Sequence, residues 1–214
     1  MRPKIIIISF TVIIGTVLSF YIVGQESKGT NEIGSQVTQN PEPVVQVTNP
    51  GETEVKLMPD YIQIGRLQAK VPKDWKKEQP SSSMRIAQFR FSGNDGDGEL
   101  VVFSGIGGSI DANLNRWYGQ FKSETENSVS ESAIRSNSQI KDMDVTFSYV
   151  EGTYLKSSMG MGGTKTEMPN YALLAAIVAT PDGLYYFKGT GPKSTMDSHK
   201  VNFEIFIRSI ESLL

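Results

Sequence analysis

The stretch Tyr171–Phe187, YALLAAIVATPDGLYYF, decides the fold. From Tyr171 to Ala179 it is continuously apolar between Pro169 and Pro181, the pattern of a central strand covered on both faces. Pro181, Asp182 and Gly183 predict a tight turn, since proline presets φ and glycine accepts a positive one. Leu184, Tyr185, Tyr186 and Phe187 then return as the antiparallel neighbour.

Working outward, the flanking segments supply further strands. Val145, Phe147 and Tyr149 alternate with Thr146 and Ser148. Ala87, Phe89 and Phe91 alternate with Gln88 and Arg90, and Asn94 to Gly98 turns the chain into Leu100, Val101, Val102 and Phe103, a hairpin signature. Leu67, Ala69 and Val71 alternate with Gln68 and Lys70 before Pro72 and Lys73 break the run ahead of Trp75. The alternation places both glutamines on solvent-facing positions.

Two segments carry helical spacing instead. Ile110, Leu114, Trp117, Tyr118 and Phe121 share one face, with Ser109 or Asp111 available as the N-cap. Phe203, Phe206, Ile207, Ile210 and Leu214 form a stripe opposite Asn202, Glu204, Arg208 and Glu211, so a terminal helix is expected to lie on the sheet through Leu214. The expected class is α+β, an antiparallel sheet flanked by helices, occupying residues 55–214.

The N-terminus reads differently. Arg2 and Lys4 precede an uncharged, proline-free run from Ile5 to Val23, the pattern of an export signal with its N-terminus inside. A run of about 19 residues is long enough as a helix to span ~30 Å of hydrocarbon, which favours an uncleaved anchor. Ser9, Thr11, Gly15, Thr16 and Ser19 dilute its apolarity, and Val17 with Ser19, or Ile22 with Gly24, offer small-residue cleavage positions for a signal peptide. Residues 1–24 are therefore a signal anchor or signal peptide, and 25–54, rich in Gly, Ser, Thr, Asn, Gln and Pro, a disordered linker. As a flexible coil, ~30 such residues reach roughly 30 Å. The expected localisation is single-pass in the membrane with the C-terminal domain outside the cytoplasm, or secreted or periplasmic after cleavage.

Composition narrows the function classes. Lys and Arg number 21 against 23 Asp and Glu among 214 residues, so no field gathers nucleic acid, which is not an expected partner. Cysteine is absent, which removes disulfides, thiolate metal sites, a cysteine nucleophile and a lipoprotein's acylated cysteine. Asp95, Asp97 and Glu99 alternate as calcium ligands do, yet aligning Gly98 to the glycine of an EF-hand loop puts Gly93 and Ser104 at its two ends, so the stretch reads as a solvated turn. Gly105, Gly107 and Gly108 precede a helix N-terminus, where backbone N–H groups hold anions, but the spacing matches no phosphate loop and the following lysine is missing. Met159 and Met161 in SSMGMGG offer soft thioethers to cuprous ion; two alone bind weakly, and a Gly-rich hairpin loop is the plainer reading. His199, the only histidine, has no nucleophile context around it and is expected to pack at the sheet edge.

VPKDW at Val71 to Trp75, the order of elements and the closing amphipathic helix resemble the PsbP-like fold. ELVVF (Glu99–Phe103), ANLNRW (Ala112–Trp117) and GTGPK (Gly189–Lys193) are similar to a family of exported bacterial proteins of unassigned function. The resemblance covers about Val55 to Leu214 and implies a sandwich of helices on an antiparallel sheet that acts by binding or assembly. It carries over no catalytic residue and no cofactor, so an enzyme is not expected. The expected partners are the lipid bilayer, through the N-terminal helix, and a protein of the cell envelope. The candidate partner surface comprises Arg116, Asn115, Gly107, Gly108, Met159 and Met161. The alternatives are a copper carrier or enzyme using the methionine loop or His199, and a structural envelope component.

Overall fold

The computed structural model describes residues 56–123, 127–157 and 164–213. The signal segment, the linker, the loop of Met159 and Met161, and Leu214 lie outside the described residues. No helix among the described residues is long and apolar enough to cross a membrane.

The strands, in chain order, are β1 Tyr61–Ile64, β2 Leu67–Lys70, β3 Trp75–Glu78, β4 Ala87–Phe91, β5 Gly98–Ser104, β6 Phe121–Lys122, β7 Ile134–Ile140, β8 Met143–Ser157, β9 Lys165–Thr180, β10 Gly183–Pro192 and β11 Glu211–Ser212. Helix α1 spans Ile110–Tyr118, α2 Val129–Ser132, α3 Lys193–Ser198 and α4 Lys200–Arg208. The eight-stranded antiparallel sheet runs β3-β4-β5-β10-β9-β8-β6, with β7 also paired to β8; β1, β2 and β11 make a small second sheet. Mixed α+β architecture with antiparallel sheets is thus observed. The stretch that decides the fold forms β9 and the start of β10, with Thr180 opposite Gly183 and Leu174 opposite Gly189.

Each face of the large sheet has its own core. On one, Phe89, Leu100, Val102, Leu174, Ala176 and Phe187 pack with Phe203, Phe206 and Ile207 of α4 and Met196 of α3. On the other, Leu114, Trp117 and Tyr118 of α1 pack on Val150, Leu173, Ala175, Ile177 and Tyr186. Residues 172–178 are buried throughout because their alternate side chains serve the two cores.

Three local expectations change. Gln68 and Gln88, placed outward by alternation, are buried. Gln68 accepts from the Met58 N–H and donates to Glu211, while Gln88 accepts from Ser81 N–H and Arg85 and donates to Glu78, so each amide is satisfied. Second, α1 ends at Tyr118: Gly119 closes it by donating to the Asn115 carbonyl, and Phe121 is buried from β6 instead. Ser109 is its N-cap, accepting from the Ala112 N–H at 3.1 Å, and Asp111 pairs with Arg135. Third, the terminal helix stops at Arg208. Ser209 takes the cap, its hydroxyl donating to the Phe206 carbonyl and accepting from the Lys70 N–H, and the chain leaves as β11 along β2.

Candidate functional site

Strand register builds the site. In antiparallel pairing, residues opposite one another share a face. One row therefore runs Glu78, Gln88, Val101, Lys188, Ala175, Ser148, and its neighbour runs Lys76, Arg90, Glu99, Thr190, Leu173, Val150. Both rows are apolar or small on β9 and β8, where α1 packs, and polar on β3, on β4 and at Glu99 of β5, with Val101 the apolar exception. That half of the face is a charged lattice, reached by solvent at Lys76, Arg90 and Glu99 and closed over buried Gln88 and Val101. Lining it is a groove of about 420 Å³, with Arg85, Arg90, Glu99, Tyr154, Tyr171 and Lys188 among its walls.

Most of the charges there are already paired. Arg90 clamps Glu78 through two bonds, Nε to Oε1 at 2.7 Å and Nη2 to Oε2 at 3.1 Å, the bidentate geometry that holds the Glu78 carboxyl below its ordinary range and raises Arg90. Arg85 donates to both Gln88 and Glu99.

Lys188 differs from these arginines. Its ammonium donates to the neutral carbonyl oxygen of Gln120 at 2.6 Å and lies 5.9 Å from the Tyr154 ring centre. Protein surrounds the ammonium, although the residue keeps some contact with the groove. Burial, aided by the Arg85 charge and opposed by Glu99, pushes it down to about 8. Tyr154 and Tyr171 stack beside it, ring centres 6.0 Å apart and planes 11° from parallel, and burial followed by the Glu99 charge raises the Tyr154 phenol. The groove thus combines a desolvated cation with a flat aromatic wall.

The residues singled out from the sequence lie elsewhere. Gly107 and Gly108 are in the exposed loop from β5 to α1, and Asn115 and Arg116 are exposed on α1. Arg116 leans over Gly108, whose φ of +99° needs glycine: a Cβ there would stand 3.7 Å from the guanidinium. Asn115 instead borders a cleft with Tyr118, Phe121 and Ser128. The first helical donors of α1 are taken by Ser109, whose side chain and carbonyl accept from Ala112 and Asn113. Buried Asn113 ties the loop down by donating to the Gly107 and Ser109 carbonyls.

His199, expected at the sheet edge, is buried at the junction of α3 and α4. The indole Nε1–H of Trp75 is a donor only, so Nδ1 of His199 accepts it at 3.1 Å, which fixes Nε2–H as the donor to the Ser92 carbonyl at 3.1 Å. The Asp74 carboxylate, 3.4 Å from Nδ1, meets an acceptor there and bonds to Asn202. Both ring nitrogens are engaged in tying β3 and β4 to the helices. Asp95, Asp97 and Glu99 likewise do not converge: Asp95 accepts from Ser194 and Glu99 from Arg85, and no group of three or more metal-ligating side chains occurs among the described residues.

No family model matches the chain, and none of the curated proteins compared does. Among solved structures, cyanobacterial PsbP (CyanoP) from Synechocystis sp. PCC 6803 is similar at 14% identity, over 69% of this chain and 86% of that one, with a TM-score of 0.41. A Bacteroides thetaiotaomicron VPI-5482 protein is similar at 16% identity over 69% of this chain, with a TM-score of 0.33; the match covers 45% of that protein's length. A PsbP thus stands among the matches, the family that VPKDW and the closing helix resemble. Likeness at this level transfers no role, and function is read from this chain's own residues.

Sequence reading missed the groove. Its signal was a lysine placed centrally in a strand whose neighbours in the sheet are apolar, a position where a charge is rare without a reason. Locating Arg85, Tyr154 and Gln120 around it required the register of four strands and the turn after α1.

Proposed function

We propose that the domain is a non-catalytic binding module, held outside the cytoplasm by its N-terminal segment, which receives a polypeptide of the cell envelope on the open half of its sheet. The observation that carries this reading is the asymmetry of the α1 face. The same two rows of residues are sealed by Leu114 and Trp117 over β8 and β9 and present solvent-reached charges, Lys76, Arg90 and Glu99, over β3 to β5. A fixed, internally paired set of charges provides complementarity and register to a partner without a strong net field. Lipid contact in this reading belongs to the segment Ile5–Val23, and the charge balance speaks against nucleic acid.

The test is site-specific crosslinking of the full chain in intact cells. A photoreactive residue at Lys76, on the open face, is expected to capture one discrete protein; the same residue at Val201, exposed on α4, is expected to capture none. Equal capture from both positions, or capture from Val201 alone, would remove the reading.

A further inference from the structure

The groove has a chemistry more specific than a charged surface. Of its cations, Arg90 is occupied by Glu78 and Arg85 by Glu99, which leaves Lys188 and Lys156 without a carboxylate among the described residues. Lys156 is exposed at the rim, where water solvates it. Lys188 is enclosed, its only hydrogen bond among the described residues going to a neutral amide oxygen. Its bond to Gln120 is charge-assisted, yet a neutral acceptor brings no opposite charge, so a carboxylate in the same place would add Coulombic attraction to an ammonium already taken from water. Facing it are Arg85 from the segment before β4, Glu99 from β5, Tyr154 from β8 and Tyr171 from β9.

We propose that this groove is a carboxylate seat, in which Lys188, with Arg85 beside it, receives a single glutamate or aspartate side chain of an extended polypeptide partner. The inference rests on the reading of the open face as a polypeptide-binding surface and names what that surface selects. A polyanion is disfavoured because it needs a series of unpaired cations, and the arginines here are already clamped. One carboxylate fits: it completes the pairing of Lys188, and Tyr154 and Tyr171 offer a flat wall to the methylenes of its side chain. Asp97 and Glu99 at the groove repel further negative charge, which limits occupancy to a lone acid.

The experiment uses the full chain with ¹³C-labelled lysine and follows the Lys188 side-chain resonance by NMR through a pH titration. Three probes are added: an acetylated pentapeptide carrying two glutamates, its two-glutamine counterpart, and inorganic phosphate. The glutamate peptide is expected to raise the Lys188 midpoint by about one pH unit, because a nearby carboxylate favours the charged form. The glutamine peptide is expected to leave it in place. Lys188→Met is expected to weaken glutamate-peptide binding about tenfold or more, and Arg85→Gln to weaken it by a smaller factor. An unmoved midpoint, or equal binding by Lys188→Met, overturns the seat. Phosphate matching the peptide overturns the assignment to a polypeptide carboxylate. If the seat fails while crosslinking from Lys76 still captures one protein, the seat alone is wrong; if that capture fails as well, the binding face is wrong with it.

Discussion

Replacing Lys188 by methionine is expected to stabilise the protein. Methionine keeps the unbranched apolar stem and drops the ammonium, whose enclosure is unfavourable. An ordinary lysine titrates at 10.5 and this one at about 8. At about 1.36 kcal/mol per pH unit that gap corresponds to about 3 kcal/mol, and the groove's solvent contact screens it to about 1–3 kcal/mol. The sign follows from proton counts. Between pH 8 and 10.5 the unfolded chain holds the proton that the folded chain has released, so stability rises with pH through that window. Below pH 8 both states are protonated and the destabilisation is fully present. Above pH 10 the buried phenols of Tyr154 and Tyr186, raised by desolvation, act with the opposite sign as the unfolded tyrosines ionise first. The clean range is therefore pH 7.5 to 10. Urea unfolding followed by the fluorescence of buried Trp75 and Trp117 is expected to give a wild-type stability that climbs by about 1–2 kcal/mol across it. Lys188→Met is expected to start higher by a similar amount and stay flat. A variant less stable than wild type at pH 7.5, or parallel slopes for the two proteins, would refute the assignment of a desolvated, unpaired ammonium.

Other perturbations bear on the scaffold. His199→Leu leaves the Trp75 indole N–H buried without its acceptor and is expected to lower stability by about 1–3 kcal/mol in urea unfolding, with a changed Trp75 emission. Gly152→Ala places a Cβ 2.3 Å from the Lys122 carbonyl oxygen at the register shift between β8 and β9; a drop of about 1–3 kcal/mol is expected in the same assay. Ser109→Ala removes the cap of α1 and is expected to lower stability by about 1 kcal/mol, with faster amide exchange at Ala112. Phe206→Ala, between Trp75, Phe89 and Phe187, is expected to lower it by about 3–5 kcal/mol.

The sheet was legible because its signals are local. The apolar run after Pro169 is buried from Ala172 to Val178 whatever its neighbours, and Pro181–Gly183 fixes the direction of return; Pro169 bounds nothing, because β9 begins before it at Lys165. The helical stripe from Ile110 was equally plain, since Ser109 sits where a cap is needed. The failures have one cause, a tertiary partner that sequence period does not announce. Gln68 and Gln88 follow the polar phase of their strands, yet Glu211, Glu78 and Arg85 arrive from other segments to satisfy them inside. The last helix stops early because Ser209 finds the backbone of Lys70 and the β2 edge accepts Glu211, an interaction between positions 139 residues apart. The site was less legible still. Arg116 and the glycines attract notice as motifs, whereas Lys188 becomes unusual only once register sets it between Val101 and Ala175.

The end of α1 meets the same lysine. After Tyr118 the second core is continued by Phe121 from β6 and not by a further helical turn. Gly119 ends the helix instead, and Gln120 turns down, its backbone carbonyl accepting from Leu155 and its side chain from Lys188. The residue that leads the chain from α1 to β6 is therefore also the one that holds the groove's enclosed ammonium. Gln120→Ala separates the two roles: the backbone bond to Leu155 remains while Lys188 loses its one hydrogen-bond acceptor among the described residues. If the seat is pre-shaped by Gln120, this change is expected to lower the Lys188 midpoint further below about 8 without unfolding α1. A midpoint returning toward 10.5 would mean that the ammonium swings out to water, and that burial by the sheet alone does not enforce the geometry on which a carboxylate seat depends.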